Sequence, residues 1–379
     1  MKPTNTSAKA SVRTYKLSEY DSDGGAAHGV RVVASAVAKA RRILVVTGAG
    51  ISCNAGIPDF RSENGLYAMV KKEYPDAVLK GRDLFDSILF SNRTSTAVFC
   101  TFMARLRSQI LLARSTTAHK FIKLLQDKHK LLRCYTQNID GLETRDGLSV
   151  GVTGRKGEVV QLHGDIHVLK CTMCGTKVEW SQADADTLAE GEVPECETCR
   201  ETAERRMSAG KRCTGVGILR PNIVLYGEDH PDGDGIGRCM TADIRARPDC
   251  LIIAGTSLKV HGIKQLVRSA AKAVHAAGGI VVYVNTTRPG NCWAGVIDYH
   301  VESDCDDWVE NLRVHQPELF LKQTKLSVKQ KKSSTIKVLC PIASDVPVSK
   351  KRKAIEVMGR PVKIAREMKS TRIAIALTN

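Results

Sequence analysis

Gly48-Ala49-Gly50-Ile51-Ser52 follows a short apolar run, Ile43-Leu44-Val45-Val46-Thr47. Glycines placed directly after a buried strand let the backbone turn tightly and approach a phosphate. That pattern alone indicates a dinucleotide site. The third glycine of an ordinary dinucleotide fingerprint would stand at position 53, where the chain has Cys53. A polar string follows, Gly56-Ile57-Pro58-Asp59-Phe60-Arg61-Ser62, for which a hydride-transfer fingerprint has no use.

Three further groups carry chemistry. Gln137-Asn138-Ile139-Asp140-Gly141 closes an apolar run, where amide and carboxylate groups can bond a ribose or a carboxamide, or simply cap a turn. His163-Gly164 ends another run. An imidazole with a pKa near ~6.5 can take a hydroxyl proton at neutral pH, although a strand-end histidine equally serves as a structural group. Gly255-Thr256-Ser257-Leu258 follows a third run and Asn285 ends a fourth. Their hydroxyls suit ribose and phosphate oxygens, and are compatible with helix N-capping at the same time.

Cys171-Thr172-Met173-Cys174 and Cys196-Glu197-Thr198-Cys199 are separated by 21 residues. Two such pairs predict a tetrahedral zinc site of four thiolates, which is structural rather than catalytic because no coordination position is left open. Cys213 remains an alternative to one member of the second pair.

These groups need a framework. Strands are predicted at residues 43–47, 131–136, 159–162, 223–226, 250–254, 280–285 and 299–301, and helices at 30–41, 96–113, 117–128, 262–277 and 306–312. Several strands are continuous apolar runs, as a parallel sheet covered on both faces requires. Alternation of the two element types predicts an α/β fold, a doubly wound Rossmann-like parallel sheet. A small zinc-ribbon module, at about residues 165–220, interrupts the rhythm, and residues 1–28 read as a flexible arm.

The chain has 379 residues, 42% of them hydrophobic, enough for a sizeable core. It holds no apolar run of about 18 residues and no apolar signal core near its start, so neither a membrane span nor secretion is expected. An odd count of 13 cysteines, most of them single in apolar surroundings, fits a reducing compartment. The net charge of +17 is uneven: residues 316–379 hold 15 Lys+Arg against 4 Asp+Glu, so +11 lies there. Such a tail is expected to be disordered, and Lys350-Lys351-Arg352-Lys353 within it reads as a nuclear-import signal.

Taken in order, these motifs resemble the sirtuin family of NAD-dependent protein deacylases over residues 30–315. The stretch from Gly210-Lys211-Arg212-Cys213 through Leu225-Tyr226-Gly227-Glu228 is similar to the fungal nuclear branch that acts on a lysine in the globular core of histone three. The resemblance implies a catalytic domain at 29–315 with NAD as co-substrate and one structural zinc on Cys171, Cys174, Cys196 and Cys199. It also implies an acetylated protein, a histone, as substrate. NAD would be held by Gly48, Ala49, Gly50, Ser52, Ile57, Asp59, Phe60, Arg61 and Tyr67, by Gln137, Asn138, Ile139 and Asp140, by Gly255, Thr256 and Ser257, and by Asn285 and Cys305.

His163 and Asn138 would be catalytic. In the implied reaction the acetyl oxygen attacks the nicotinamide ribose, nicotinamide leaves, and His163 acts as general base toward a ribose hydroxyl. The products are free lysine, nicotinamide and O-acetyl-ADP-ribose. The strand at 223–226 would pair with the substrate peptide. Tyr67 is followed three positions later by Val70, where relatives that remove succinyl groups carry an arginine, so acetyl is the expected acyl group. The nucleus, an import receptor and chromatin contact through the tail complete the expectation. A dehydrogenase would share only the glycine turn, and a zinc-ribbon nucleic-acid binder sits poorly with Glu192, Glu195, Glu197 and Glu201 crowding the cysteines.

Overall fold

The computed structural model describes residues 11–321 except 21, 76–80 and 155–156. The basic cluster at 350–353 and nearly all of the proposed tail lie outside the described residues. Among the described residues there are ten strands: β1 (Arg13–Lys16), β2 (Ile43–Thr47), β3 (Leu131–Thr136), β4 (Val159–Gln161), β5 (Gly164–Cys171), β6 (Lys177–Glu179), β7 (Leu219–Ile223), β8 (Cys250–Ala254), β9 (Ile280–Asn285) and β10 (Tyr299–Glu302). Seven make one sheet in the order β1-β10-β9-β8-β2-β3-β4, and every pairing in it is parallel.

Both faces of this sheet are covered, and the strand alternation shows it. Ile43 and Val45 of β2 face a core shared with helices α1 (Gly24–Lys39), α4 (Thr117–Asp127) and α10 (Cys305–His315). Leu44 and Val46 face the opposite core, shared with α8 (Gly233–Arg245) and α9 (His261–Ala276). A strand buried on both sides has no use for polar alternation, which is why β2, β8 and β9 read as unbroken apolar runs.

A third core, apart from the two faces of the large sheet, gathers two stretches of chain. Helices α2 (Leu66–Glu73) and α3 (Arg93–Leu112) pack with the antiparallel sheet β6-β5-β7, joined by α6 (Gln182–Ala189) and α7 (Glu197–Ser208). A short helix, α5 (Leu142–Arg145), follows β3.

Two expectations are corrected. Residues 13–28 are not a flexible arm: β1 pairs with β10 from Arg13↔Tyr299 to Lys16↔Glu302, and α1 begins at Gly24. An edge strand needs backbone partners more than an apolar run, so Arg-Thr-Tyr-Lys gives little sequence signal. The strand predicted at 223–226 lies at Leu219–Ile223, because its hydrogen-bond partner is β5, from Cys171↔Leu219 to Gly164↔Ile223.

One charged group sits inside the sheet. Arg133 of β3 is 1% exposed and donates from Nε to Asp243 Oδ2 at 2.7 Å, from Nη2 to Asp243 Oδ1 at 3.1 Å and from Nη1 to Glu158 Oε2 at 3.3 Å. Tyr135 donates its hydroxyl to the same Asp243 at 2.7 Å.

Candidate active site and metal centre

The parallel register brings the predicted loops to one level. Thr47 pairs with Thr136 on one side and Ala254 on the other, and Ala254 pairs with Val284. The segments following β2, β3, β8 and β9 therefore all leave the same edge of the sheet, the carboxyl end where open α/β sheets bind ligands.

Glycine is required where two of these loops meet. A Cβ on Gly50 would lie 2.7 Å from Gly255 Cα, and one on Gly48 would lie 2.7 Å from Thr256 Cβ. Gly255 has φ +62°, and its own Cβ would meet Ile51 N at 2.5 Å. The two loops are joined by Gly50 N–H donating to Gly255 O at 2.8 Å. The two loops thus pack backbone to backbone, with Gly48 and Gly255 buried and Ala49 and Gly50 partly open, where a phosphate could approach main-chain N–H groups.

Beneath it lies a buried polar chain. Ser52 donates to Asp140 Oδ2 at 2.7 Å and accepts from Asn138 Nδ2 at 3.1 Å. Gln137 Nε2 donates to Thr47 O at 3.0 Å and to Thr256 Oγ1 at 2.9 Å, tying the β2, β3 and β8 loops together. Asp140 Oδ1 also receives Leu142 N–H at 3.1 Å.

His163 stands between two elements. Its Nδ1 lies 2.8 Å from Gln137 O, and a carbonyl only accepts, so Nδ1 carries the proton and Nε2 presents a lone pair. Its own carbonyl accepts Val224 N–H at 2.9 Å, just past β7. Burial lowers its pKa to about 4, with smaller contributions from the His230 and Arg61 charges, while the Gln137 bond opposes the shift. The ring is neutral at pH 7 and able to act as a base.

The loop from Ile57 to Tyr67 is shaped by its own residues. Asp59 Oδ1 accepts the Arg61 and Ser62 N–H groups, each at 2.7 Å, so this carboxylate holds the turn. Phe60 packs edge-on against Tyr67 and Phe85, with ring centroids 5.8 Å and 5.5 Å apart. Arg61 Nη2 reaches the Tyr226 hydroxyl at 3.1 Å, and the Tyr67 and Tyr226 hydroxyls are 3.3 Å apart. Ile57 and Ile139 are buried in the third core.

The remaining expected contacts separate. Ser257, exposed, and the buried Thr256 stand at the end of β8, and Asn285 donates to Thr287 Oγ1 at 2.7 Å. Cys305 is buried at the start of α10, its thiol 3.9 Å from Val284 O and pushed far up by burial. Any contact it makes with a nucleotide uses its backbone.

The four cysteines converge. Cys171 and Cys199 sulfurs are 3.7 Å apart, as are those of Cys174 and Cys196, and all four lie within 4.8 Å of one another. A zinc tetrahedron with Zn–S near 2.3 Å demands sulfurs about 3.8 Å apart, so the set fits the ion. Cys213 is exposed and its Sγ bonds Thr214 O at 3.2 Å.

A model of the Sir2 family matches residues 48–262. An NAD-dependent histone deacetylase of Candida albicans, HST3, is 49% identical over 305 residues, covering 76% of this chain and 63% of that protein. The HST3 enzyme of Saccharomyces cerevisiae is 47% identical, covering 78% of this chain and 70% of its own length. The chain belongs to the Sir2 family. The NAD-dependent protein deacetylase hst4 of Schizosaccharomyces pombe is 38% identical, with 80% and 74% covered. Among solved structures, a Sir2 homologue bound to NAD superimposes with a TM-score of 0.58 at 24% identity, covering 76% of this chain and 94% of that one. A mutant Sir2 homologue bound to 2'-O-acetyl ADP ribose reaches a TM-score of 0.59, again at 24% identity, with 77% and 99% covered. That likeness is one of fold.

Within this Sir2 chain the sequence reading missed three polar features. One is the Arg133–Asp243–Glu158 network, whose partners are far apart in sequence. Another is a buried group of His119, Asp140 and Glu143 with ligand atoms within 4.8 Å, in which burial and the Asp140 charge raise Glu143 to about 8. The third is the Tyr226 hydroxyl, for which an apolar strand pattern offers no signal.

Proposed function

We propose that this chain is an NAD-dependent protein lysine deacetylase acting on acetylated histone. The carrying observation is His163: its Nδ1 is held by Gln137 O of the nucleotide-side loop and its carbonyl by Val224 N–H beside β7. A neutral imidazole is thereby held at the junction of two elements that would bind the two substrates.

Gly48, Ala49 and Gly50, with Gly255, Thr256 and Ser257, would hold the pyrophosphate side of NAD, Asn285 the adenosine ribose, and Asn138, Asp140 and Ile57 the nicotinamide end. When bound, NAD supplies a ribose carbon that takes the acetyl oxygen as nicotinamide departs. The Asn138–Ser52–Asp140 chain orients the Asn138 amide. Phe60 shields the site from water, and His163 Nε2 receives the proton of a ribose hydroxyl. The four cysteines hold a structural zinc, which supplies folding energy to the β5–β7 module and takes no part in the reaction.

The substrate we propose is a lysine in the globular core of histone three, with a role in chromatin silencing and genome maintenance. It is supported by the likeness of residues 210–228 to the fungal nuclear branch, while the names of the relatives support only a histone or protein substrate. The protein would reach the nucleus through an import receptor bound at Lys350-Lys351-Arg352-Lys353, and the tail would add chromatin contact. A tagged protein lacking residues 326–379 that still accumulates in the nucleus would place the signal elsewhere. For the activity, the purified chain is incubated with acetylated histones and NAD. Loss of acetyl mass that depends on NAD, with release of nicotinamide, is expected. Growth of reduced-nicotinamide absorbance without deacetylation would defeat the assignment.

A further inference from the structure

We propose that Tyr226 is a positioning residue that couples nucleotide binding to peptide binding, an inference that rests on the function proposed above. Tyr226 lies just beyond β7, and its backbone is fixed on one side: its N–H donates to Phe85 O at 2.7 Å and its carbonyl accepts Ser87 N–H at 3.0 Å. Its side chain reaches the loop from Asp59 to Tyr67. The hydroxyl lies 3.1 Å from Arg61 Nη2 and 3.3 Å from the Tyr67 hydroxyl.

Arg61 is a donor only, so the Tyr226 oxygen accepts from it, and the two phenols can share a second bond. Tyr67 is in turn packed against Phe60 and Phe85. One phenol therefore joins the Asp59–Tyr67 loop to the strand whose neighbour Val224 is bonded to His163. A ligand that orders the loop places Arg61 and Tyr67, and through them the strand. Linkage makes the effect reciprocal, so a peptide ordering the strand favours the loop position that receives the nucleotide. Phenylalanine at 226 would keep the ring packing and remove only the oxygen.

The test measures binding of an acetylated histone peptide by calorimetry, with and without saturating ADP-ribose, a nucleotide that does not react. In the wild type ADP-ribose tightens the peptide. In Tyr226→Phe the tightening shrinks by roughly three- to tenfold, the value of one hydrogen bond to a charged group in a partly exposed setting. Peptide affinity without nucleotide and the melting temperature stay near wild type. Tyr67→Phe loses part of the same coupling. Bound ADP-ribose with full coupling in Tyr226→Phe, or equal weakening of the peptide with and without nucleotide, overturns this proposal alone. A wild-type chain that binds no ADP-ribose overturns the NAD reading and this proposal together.

Discussion

Replacing His163 with alanine tests the proposed general base, and its pH profile tests the reasoning more sharply than the loss of activity does. Burial lowers the imidazole to about 4 from an ordinary 6.5. At 1.36 kcal/mol per tenfold, that difference disfavours the charged ring by roughly 3 kcal/mol. The unprotonated base then makes up about 97% of the free enzyme at pH 5.5, where an ordinary histidine would be about 10% unprotonated. For the wild type, kcat/KM for acetyl-peptide, which reports free-enzyme groups, should hold level from pH 8 to 6 and fall only below about pH 5. His163→Ala should stay folded, lose about 10²–10⁴-fold in kcat/KM and lose this acid limb. The same shift affects stability. The folded pKa lies below the unfolded one, so the unfolded chain binds more protons between pH 6.5 and about 4. Stability supplied by the neutral ring is complete above 6.5 and is lost as pH falls through that window. An acid limb centred near 6.5, or a His163→Ala variant with near-normal turnover, would refute the account.

Gly50→Ala should leave a folded protein whose ADP-ribose affinity falls about tenfold or more, since its Cβ would sit 2.7 Å from Gly255 Cα and the loops must part; calorimetry reads the loss. Arg133→Met strands the buried Asp243 and Glu158 carboxylates and should cost about 3–5 kcal/mol in denaturant unfolding. Cys171→Ser should yield insoluble or zinc-free protein, whereas Cys213→Ser keeps one zinc per chain by metal analysis; zinc retained by Cys199→Ser would contradict the ligand set. Removal of acetyl should outpace removal of succinyl from one peptide, because Val70 is fully buried where a cation would be needed and an unpaired carboxylate is expensive to bury; the reverse order in a mass assay would count against this.

What the sequence reveals depends on how many faces of an element are buried. β2, β8 and β9 occupy the expected residues because both faces of each are covered and their apolar runs are nearly continuous. β1 escaped because it borders the sheet, where backbone pairing suffices. β5, Gly-Asp-Ile-His-Val-Leu-Lys-Cys, mixes polar and apolar residues around a register irregularity and so lacks a clean alternation. Helix α8 opens with Gly233, Asp234 and Gly235, residues of low helix propensity, and is held by packing of Ile236 and Met240. The motifs that the structure brings together at the carboxyl edge could be found in the sequence because each loop keeps its polar residues contiguous. Asp243 joins Arg133 across 110 residues of chain, and no local pattern carries that. The four-cysteine set was legible as pairs, but only the geometry separates Cys213 from them.

The position of β2 in the middle of the sheet sets how this protein can be made. Its neighbour β8 begins at Cys250, more than two hundred residues later, and β1 must wait for β10 at Tyr299–Glu302. A nascent chain that has released only its first half therefore has Ile43–Thr47 paired on one side at most, with a bare apolar edge. The glycine contact between Gly50 and Gly255 does not exist until Cys250–Ala254 has left the ribosome. Parallel pairings this distant in sequence form slowly and leave strand edges open to other chains. Synthesis of this protein thus carries a long interval in which the β2 edge stands open, and the meeting of the Gly48–Gly50 and Gly255–Ser257 loops is among the last contacts to close.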